Sequence, residues 1–334
     1  LTRLPPNIPT SVRYLQLEVN LISEITDGMF STFKNLKYLL ISSNNISKIG
    51  RHGFKGLNSL HSLDISDNPL TIDVLEQSVF GVAGEYLPYL RVLRLDSMDF
   101  AMRESSLQGL RKVPLAFLTL DQNEKMCDLP DGAFSGLVLQ NVSISAGNCK
   151  SLNAKAFINA TIDHLFLAAN NLHLLPDFHL YNETVSFRKS LRGLYLDDND
   201  IYALPKEMFQ GFDSLYFLEV SKNHLRTIDD GFLDALPSLQ FLLLSSNIIE
   251  VLSNDSFKGM ALKTLDLRRN LFSTELESEV FRNAGQIEHI YFSSDYRNYY
   301  EIPIPDVFKN ISTLKTLWIE RTTRFHTLPN NSFQ

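Results

Sequence analysis

Residues 36–44 read Leu-Lys-Tyr-Leu-Leu-Ile-Ser-Ser-Asn, and residues 60–68 read Leu-His-Ser-Leu-Asp-Ile-Ser-Asp-Asn. Both stretches follow one pattern, apolar-x-x-Leu-x-apolar-x-x-Asn. The pattern recurs along the whole chain, and its thirteen copies begin at Val12, Leu36, Leu60, Leu90, Leu115, Leu139, Ile162, Leu191, Leu215, Leu239, Leu262, Ile287 and Leu314. Most neighbouring copies start 23 to 25 residues apart. Such a period indicates a series of stacked repeats rather than a compact enzyme domain.

This period and pattern are the signature of the leucine-rich repeat. Side chains alternate between the two faces of a strand, so the leucines of each Leu-x-Leu segment point inward and the x residues point to solvent. Stacked turns pair their strands into a parallel sheet. The sequence therefore predicts an α/β solenoid. We expect a leucine-rich repeat horseshoe with a parallel β-sheet on its concave face and irregular, short helical or 3-10 segments on its convex face. One domain of about 13 turns is predicted over residues 1–334.

The asparagine that ends the pattern has a separate role. As the chain leaves the strand, its backbone loses its sheet partners, and a buried side-chain amide can bond to those groups and to the neighbouring turn. Nine copies keep this residue: Asn20, Asn44, Asn68, Asn123, Asn170, Asn199, Asn223, Asn247 and Asn270. Less regular turns are expected where it is replaced, at Met98, Gly147, Asp295 and Thr322.

A phenylalanine recurs near the far side of each turn. The set comprises Phe30, Phe54, Phe80, Phe134, Phe157, Phe209, Phe232, Phe257, Phe281, Phe308 and Phe333. Stacked rings would form a hydrophobic spine under the convex face. We interpret these rings as core, and they imply no aromatic cofactor site.

The composition and motifs argue against several kinds of chemistry. The net charge of −7 makes the chain a poor partner for a nucleic-acid backbone. The sequence has no Gly-x-Ser-x-Gly elbow, no glycine-rich phosphate loop and no Cys/His cluster with zinc spacing. Residues 197–200 resemble a calcium loop, but Asn199 holds the repeat position and the glycine and distal glutamate of an EF-hand are missing. We expect no enzyme activity, catalytic residue, cofactor or metal.

Several features favour an extracellular location. Sequons predict N-glycosylation at Asn45, Asn141, Asn159, Asn182, Asn254, Asn310 and Asn330. No apolar run approaches the roughly 18 residues of a membrane span. Residues 1–9 are similar to the phrase that follows an N-terminal cysteine cap in extracellular leucine-rich repeat proteins. We expect the domain to lack both cysteine caps and to belong to the ectodomain of a single-pass membrane protein, whose span lies outside this fragment.

The two cysteines, Cys127 and Cys149, lie about one repeat apart. Neighbouring turns stack at roughly 4.8 Å, which is within the Cα separation that a disulfide allows. A disulfide between the two turns is predicted, and the alternative is two buried free thiols.

Two turns are longer than the others. The extra residues fall around 72–89 and 177–190. Each insertion is either a binding or dimer contact, or an extra convex element without such a role. Residues 73–80 read as a helix. Residues 179–186 are polar, contain a sequon and read as a projecting loop.

An apolar cluster is predicted on the concave face, where side chains should meet solvent. It comprises Phe166, Tyr195, Phe217, Phe241 and Leu243, on neighbouring turns. Exposed apolar patches and aromatic residues mark interaction surfaces, so this cluster is the candidate ligand-binding site. The alternative is that the rings only stack on each other along the sheet. The Asn141 sequon lies on the same face, and a glycan there would direct a partner to the flank or to later turns.

The 24-residue consensus, the phenylalanine spine, the sequons and the irregular turns together resemble the ectodomains of Toll and Toll-like receptors. The resemblance covers the whole chain, and its motif is more specific for the fold than for the receptor. It implies a cell-surface receptor domain of innate immunity that binds a protein or microbial ligand and signals as a homo- or heterodimer.

Two other functions remain open. Matrix proteoglycans, axon-guidance proteins and leucine-rich hormone receptors use similar repeats, which gives a cell-surface or matrix adhesion, guidance or hormone-binding protein as the alternative. Nucleic-acid sensing by an endosomal member of the Toll-like family would require binding that weakens steeply with salt, and the acidic balance argues against it.

Overall fold

The computed structural model describes residues 1–70, 79–81, 84–98, 101–228, 231–252, 256–257, 261–272, 280–281, 284, 286–294, 308 and 311–319. The chain forms two compact units. Unit 1 contains Leu1–Phe166 and Glu183–Phe187, and unit 2 contains Leu167–Asn182 and Arg188–Gln334. The single domain expected from the sequence stays a prediction.

The repeats of unit 1 form a parallel sheet of short strands. Its strands are β1 (Tyr14–Gln16), β3 (Tyr38–Leu40), β5 (Ser62–Asp64), β6 (Val92–Arg94), β7 (Phe117–Thr119), β8 (Val138–Ser143) and β9 (Thr161–Phe166). Each strand pairs with the equivalent residues of the next repeat, as Leu39 does with Leu63. A second short ladder pairs β2 (Glu24–Ile25) with β4 (Lys48–Ile49).

Unit 2 is built in the same way. Its parallel sheet contains β10 (Gly193–Tyr195), β11 (Phe217–Glu219), β13 (Phe241–Leu243), β15 (Thr264–Asn270), β16 (His289–Ser294) and β17 (Thr316–Ile319). A short ladder pairs β12 (Thr227–Ile228) with β14 (Val251–Leu252). The predicted leucine-rich repeat solenoid with a parallel sheet is confirmed.

Alternation along each strand separates the core from the surface. The central leucine, such as Leu218 in β11, is fully buried, while its two neighbours point outward. We call the surface formed by these outward residues the sheet face of each unit. In β11 the sheet face carries Phe217 and Glu219.

The connections opposite the sheets contain short helices, as the sequence predicted. Among the described residues, the 3-10 helices are Gln108–Leu110, Glu124–Asp128, Ala154–Phe157, Phe178–Leu180, Asn182–Thr184, Lys206–Phe209 and Leu233–Ala235, and the α-helix α1 is Val185–Ser190. In the described part of the chain, no helix has the length and apolar character needed to cross a membrane.

The recurrent asparagines form a hydrogen-bond ladder between turns. Asn223 shows the geometry: its Nδ2 donates to the carbonyl oxygens of Leu196, Val220 and Ser221 at 2.9–3.2 Å. Its Oδ1 accepts from the backbone N–H of Ile201 at 2.9 Å. The side chain therefore joins its own turn to the preceding one, as predicted.

The ladder continues differently where asparagine is replaced. At Met98 the backbone N–H still donates to Oδ1 of Asn123, at 2.6 Å. At Gly147 the same turn carries the Cys127–Cys149 disulfide, whose Cα atoms are 5.0 Å apart. A covalent link between neighbouring turns thus lies beside the position that lacks the asparagine amide. Asp295 and Thr322 lie outside the described residues.

The predicted phenylalanine spine is buried from Phe30 to Phe308, and Phe333 lies outside the described residues. Ring centroids are 5.1 Å apart for Phe134–Phe157 in unit 1 and 5.2 Å apart for Phe209–Phe232 in unit 2. Phe187, which the repeat pattern did not indicate, is also fully buried, with its ring 4.8 Å from that of Phe157.

The second long turn is not a projecting loop, which corrects the prediction. Its residues form two 3-10 helices and α1, and they bury Phe178, Thr184 and Phe187. The guanidinium of Arg188 is also buried and donates to the carbonyl of Gln210 at 2.6 Å. The helix predicted over residues 73–80 falls almost entirely outside the described residues.

In eleven of the described turns, the non-glycine residue just before the asparagine position has a left-handed backbone. The φ angles lie between 51° and 60° at Val19, Ser43, Asp67, Ser97, Gln122, Ala146, Ala169, Asp198, Lys222, Ser246 and Arg269. Val19 is the β-branched member of this set, and β-branched residues are disfavoured most strongly in this region. A substitution at Val19 is therefore expected to relieve local backbone strain.

The change Val19→Asn is expected to raise the free energy of unfolding by about 0.5–1 kcal/mol, because asparagine tolerates a positive φ. Val19 is 81% exposed, so the change removes little buried area. Urea unfolding measures the effect. The control is Val138→Asn, at an exposed valine of β8, where the loss of strand propensity should lower stability slightly. A loss of stability at Val19 would contradict the strain argument.

Candidate functional site

The five residues of the predicted binding cluster fall in both units. Phe166 ends β9 in unit 1, whereas Tyr195, Phe217, Phe241 and Leu243 lie on β10, β11 and β13 of unit 2. We call these four residues the unit 2 patch. Its side chains lie on the sheet face and are half-buried.

Ring contacts hold the unit 2 patch together. The centroids of Tyr195 and Phe217 are 4.9 Å apart, and those of Phe217 and Phe241 are 6.0 Å apart. Phe217 pairs in register with Gly193 on one side and Phe241 on the other. Because Gly193 has no side chain, it offers Phe217 no ring partner, and the neighbouring ring comes diagonally from Tyr195. The rings contact one another along the sheet in a tilted arrangement, with interplanar angles of 32° and 33°, and they still leave part of their surface exposed.

The patch is not purely apolar. Glu219 lies in register between Tyr195 and Leu243, at the third position of β11. Burial raises the pKa of the Tyr195 hydroxyl, and the nearby Tyr216 and Glu219 raise it further. The rings and the carboxylate therefore share one partly desolvated surface.

An open groove of about 390 Å³ adjoins the patch. Asp197, Glu219, Leu243, Asp266 and Arg268 are among the residues that line it. The buried Asp266 carboxylate is bound by Arg268, whose Nε and Nη2 donate to its two oxygens at 2.5–3.1 Å. The same guanidinium lies 5.2 Å from the ring centroid of Tyr291.

The described sequons occupy different surroundings. Asn45, Asn159 and Asn182 are exposed, whereas Asn141 is half-buried on the sheet face of unit 1. There Asn141 pairs in register with Phe117 and with His164 on the flanking strands. N-glycosylation of all seven sequons stays a prediction, and Asn254, Asn310 and Asn330 lie outside the described residues.

The predicted link between Cys127 and Cys149 is present, so the alternative of two free thiols is wrong. In the ranges that the structure describes, no group of three or more His, Cys, Asp or Glu side chains is placed to hold a metal ion.

Comparisons with known families identify the repeat. The family described as Leucine rich repeat matches residues 10–70 and 189–249. The family described as BspA type Leucine rich repeat region matches residues 226–334.

The chain is similar to curated proteins over much of its length. Podocan-like protein 1 of Mus musculus is 27% identical over 98% of this chain and 59% of its own length. Lumican of Coturnix japonica is 30% identical over 66% of this chain and 53% of its own length. The chain thus spans between about half and three-fifths of these relatives.

Solved structures agree on the fold. Toll in the Toll–Spatzle complex of Drosophila is 22% identical, with a TM-score of 0.64 over 87% of this chain and 42% of that chain. An internalin from Listeria monocytogenes is 18% identical, with a TM-score of 0.51 over 94% of this chain and 88% of that chain. At these identities the likeness shows the fold alone.

The two leucine-rich repeat matches agree with the expectation of a non-enzyme. The repeat pattern, the parallel sheets, the asparagine ladder and both family matches agree. The chain is a leucine-rich repeat protein.

Proposed function

We propose that this chain is the extracellular binding region of a matrix or cell-surface protein and that the unit 2 patch contacts a protein partner. The observation that carries the proposal is the row of half-buried rings on a sheet face, at Tyr195, Phe217 and Phe241. Aromatic clusters of this kind dominate the binding energy of protein interfaces. The similarity to Podocan-like protein 1 and lumican favours a matrix protein over the Toll-like receptor expected from the sequence.

The test measures binding of the purified chain to an array of purified matrix proteins and cell-surface ectodomains. The double variant Phe217→Ser/Phe241→Ser should weaken binding of a partner by about 10–100-fold, because it removes both central rings. Phe241→Tyr keeps the ring and should retain affinity within about threefold. Thermal melting establishes that each variant is folded.

The matched control is Tyr202→Ser. Tyr202 is an aromatic residue of unit 2 that is 55% exposed and lies outside the strands. Its loss should leave affinity within about twofold. An equal loss at Tyr202, or undiminished binding by the double variant, would exclude the unit 2 patch as the contact surface.

A Toll-like receptor ectodomain is the second candidate, and the unequal turn lengths, the replaced asparagines and the sequons of the sequence favour it. In this case the chain would bind a protein or microbial ligand and act as a receptor dimer. The chain fused to a membrane span and a Toll-type cytoplasmic signalling domain tests it in reporter cells. Activation by microbial products would support the receptor, whereas binding to matrix proteins without activation supports our first proposal.

A further inference from the structure

Two aspartates at the strand exits of unit 1, Asp96 and Asp121, are each held by the following turn. Asp96 accepts from the Thr119 hydroxyl and from the backbone N–H of Asp121, both at 2.9 Å. Asp121 accepts from the Ser143 hydroxyl at 2.6 Å and from the backbone N–H of Ser145 at 2.7 Å. An aspartate that directly follows the second leucine of the Leu-x-Leu segment is therefore paired with a hydroxyl side chain at the third position of the next strand.

Unit 2 breaks this rule at one place. Asp197 follows Leu196 as Asp96 follows Leu95, so the two aspartates are equivalent in the repeat. The residue equivalent to Thr119 is Glu219, which cannot donate a hydrogen bond when ionised. Among the described residues, neither carboxylate has a Lys, Arg or His nitrogen within the 4.0 Å of an ion pair. Two carboxylates thus stand where unit 1 has a carboxylate and a hydroxyl.

The electrostatics reflect this mismatch. Burial is the main cause that raises the pKa of both carboxyls, and the charge of Asp197 raises the pKa of Glu219 further. Lys222 acts in the opposite direction on both groups, but less strongly than burial. Asp266 also raises the pKa of the Glu219 carboxyl, although the Asp266 carboxylate is itself hydrogen-bonded to Arg268. The charges of Asp197 and Glu219 are only partly compensated.

Aromatic and aliphatic side chains lie beside Glu219 on the sheet face of unit 2. Glu219 is flanked in register by Tyr195 and Leu243, and the ring of Phe217 precedes it by two residues. Both carboxylates line the open groove. A partner that places a cation there would relieve their repulsion while covering the rings, which is the charge complementarity expected of a specific interface.

We propose that Asp197 and Glu219 receive a lysine or arginine side chain of the partner, and that the unit 2 patch holds an apolar residue adjacent to it in the partner's sequence. This inference rests on the proposed function and adds the chemistry of the segment that binds. With Asp266 bound by Arg268, two carboxylates are available, which is fewer oxygen ligands than a calcium ion requires.

The test restores the unit 1 arrangement with Glu219→Thr, which recreates the Asp96–Thr119 pair. The variant should raise the melting temperature by about 1–2 °C, since it replaces repulsion by a hydrogen bond. The folded-state pKa of both carboxyls is raised, so their ionisation destabilises the wild type as pH rises. The gain should therefore be larger at pH 7 than at pH 4. The matched control is Glu207→Thr, at an exposed glutamate of unit 2, which should not show this gain.

Binding is measured with two synthetic peptides that differ only in charge. One repeats Ser-Arg-Leu-Ser, and the other carries uncharged citrulline in place of arginine. The arginine peptide should bind at least about tenfold more tightly, and Glu219→Thr should abolish that preference. Equal binding of the peptides, absence of binding, or a preference that survives Glu219→Thr would overturn the inference. If calcium raises the melting temperature of the wild type but not that of Glu219→Thr, the inference is overturned in favour of a metal site.

The two proposals fail in different ways. Suppose that a partner found in the array binds Phe217→Ser/Phe241→Ser more weakly but binds Glu219→Thr as tightly as the wild type. The proposal of a basic side chain in the partner is then wrong, and the proposal that the unit 2 patch contacts the partner is retained. If neither variant weakens binding of the partner, both proposals are wrong.

Discussion

The change Asn223→Ala is expected to lower the free energy of unfolding by about 3–4 kcal/mol. The amide of Asn223 makes four hydrogen bonds to backbone groups, and the residue is only 4% exposed. Truncation leaves the N–H of Ile201 and several carbonyl oxygens without this partner, and each buried group left unsatisfied costs about 1–3 kcal/mol. Urea unfolding followed by circular dichroism measures the loss.

Two further variants check the cause of this loss. Asn223→Asp keeps the shape and an acceptor but removes both donors and buries a charge, so it should destabilise at least as much as alanine. Asn58→Ala, at an exposed asparagine, should change stability by less than about 0.5 kcal/mol. A loss below about 1 kcal/mol for Asn223→Ala would show that the ladder does not hold the turns together.

The change Phe157→Ala should lower the free energy of unfolding of unit 1 by about 3–5 kcal/mol. Phe157 is fully buried, with its ring centroid 5.1 Å from that of Phe134 and 4.8 Å from that of Phe187. Removal of the ring leaves a cavity and takes a contact from both neighbours. Thermal and urea unfolding measure the effect.

The matched control is Phe117→Ala, which removes a ring from the sheet face of the same unit. Phe117 is 46% exposed, so its loss should cost less than about 1 kcal/mol. Equal losses at the two positions would contradict the assignment of the spine as the core opposite the sheet.

The repeat could be predicted because each of its elements has one physical purpose. Leu218 must be buried, Asn223 must satisfy backbone groups, and Phe209 must fill the space opposite the sheet. These demands recur with a fixed period, so the sequence alone indicates them. The same logic placed the disulfide, because neighbouring turns bring Cys127 and Cys149 within bonding distance.

The second long turn could not be predicted in the same way. Its extra residues interrupt the period, so spacing no longer indicates which side chains face inward. The polar composition suggested a projecting loop, yet Phe178 and Phe187 are fully buried. The left-handed residues were missed for a different reason. Val19, Asp198 and Arg269 share no chemistry, because the hydrogen bonds of the turn impose their conformation.

The candidate site was predicted only in part. The rings of Phe217 and Phe241 could be placed on one surface from the repeat, but the acidic mismatch required the structure. It emerges when Asp197 and Glu219 are compared with the equivalent pair Asp96 and Thr119. Irregular turn lengths favoured a Toll-like receptor, whereas sequence similarity to Podocan-like protein 1 and lumican favours a matrix protein. Turn length reports on fold geometry, and the partner is determined by the exposed side chains.

The central claim is that the unit 2 patch contacts a protein partner. Hydrogen–deuterium exchange tests it most directly, measured on the free chain and on its complex with a partner found in the binding array. We predict protection of residues 193–197, 217–222 and 241–246, which contain the strands of the unit 2 patch and their exits. Residues 206–209 and 233–235, the 3-10 helices of the same turns, should exchange as they do in the free chain. Protection confined to those helices, with unchanged exchange along the patch strands, would contradict the account.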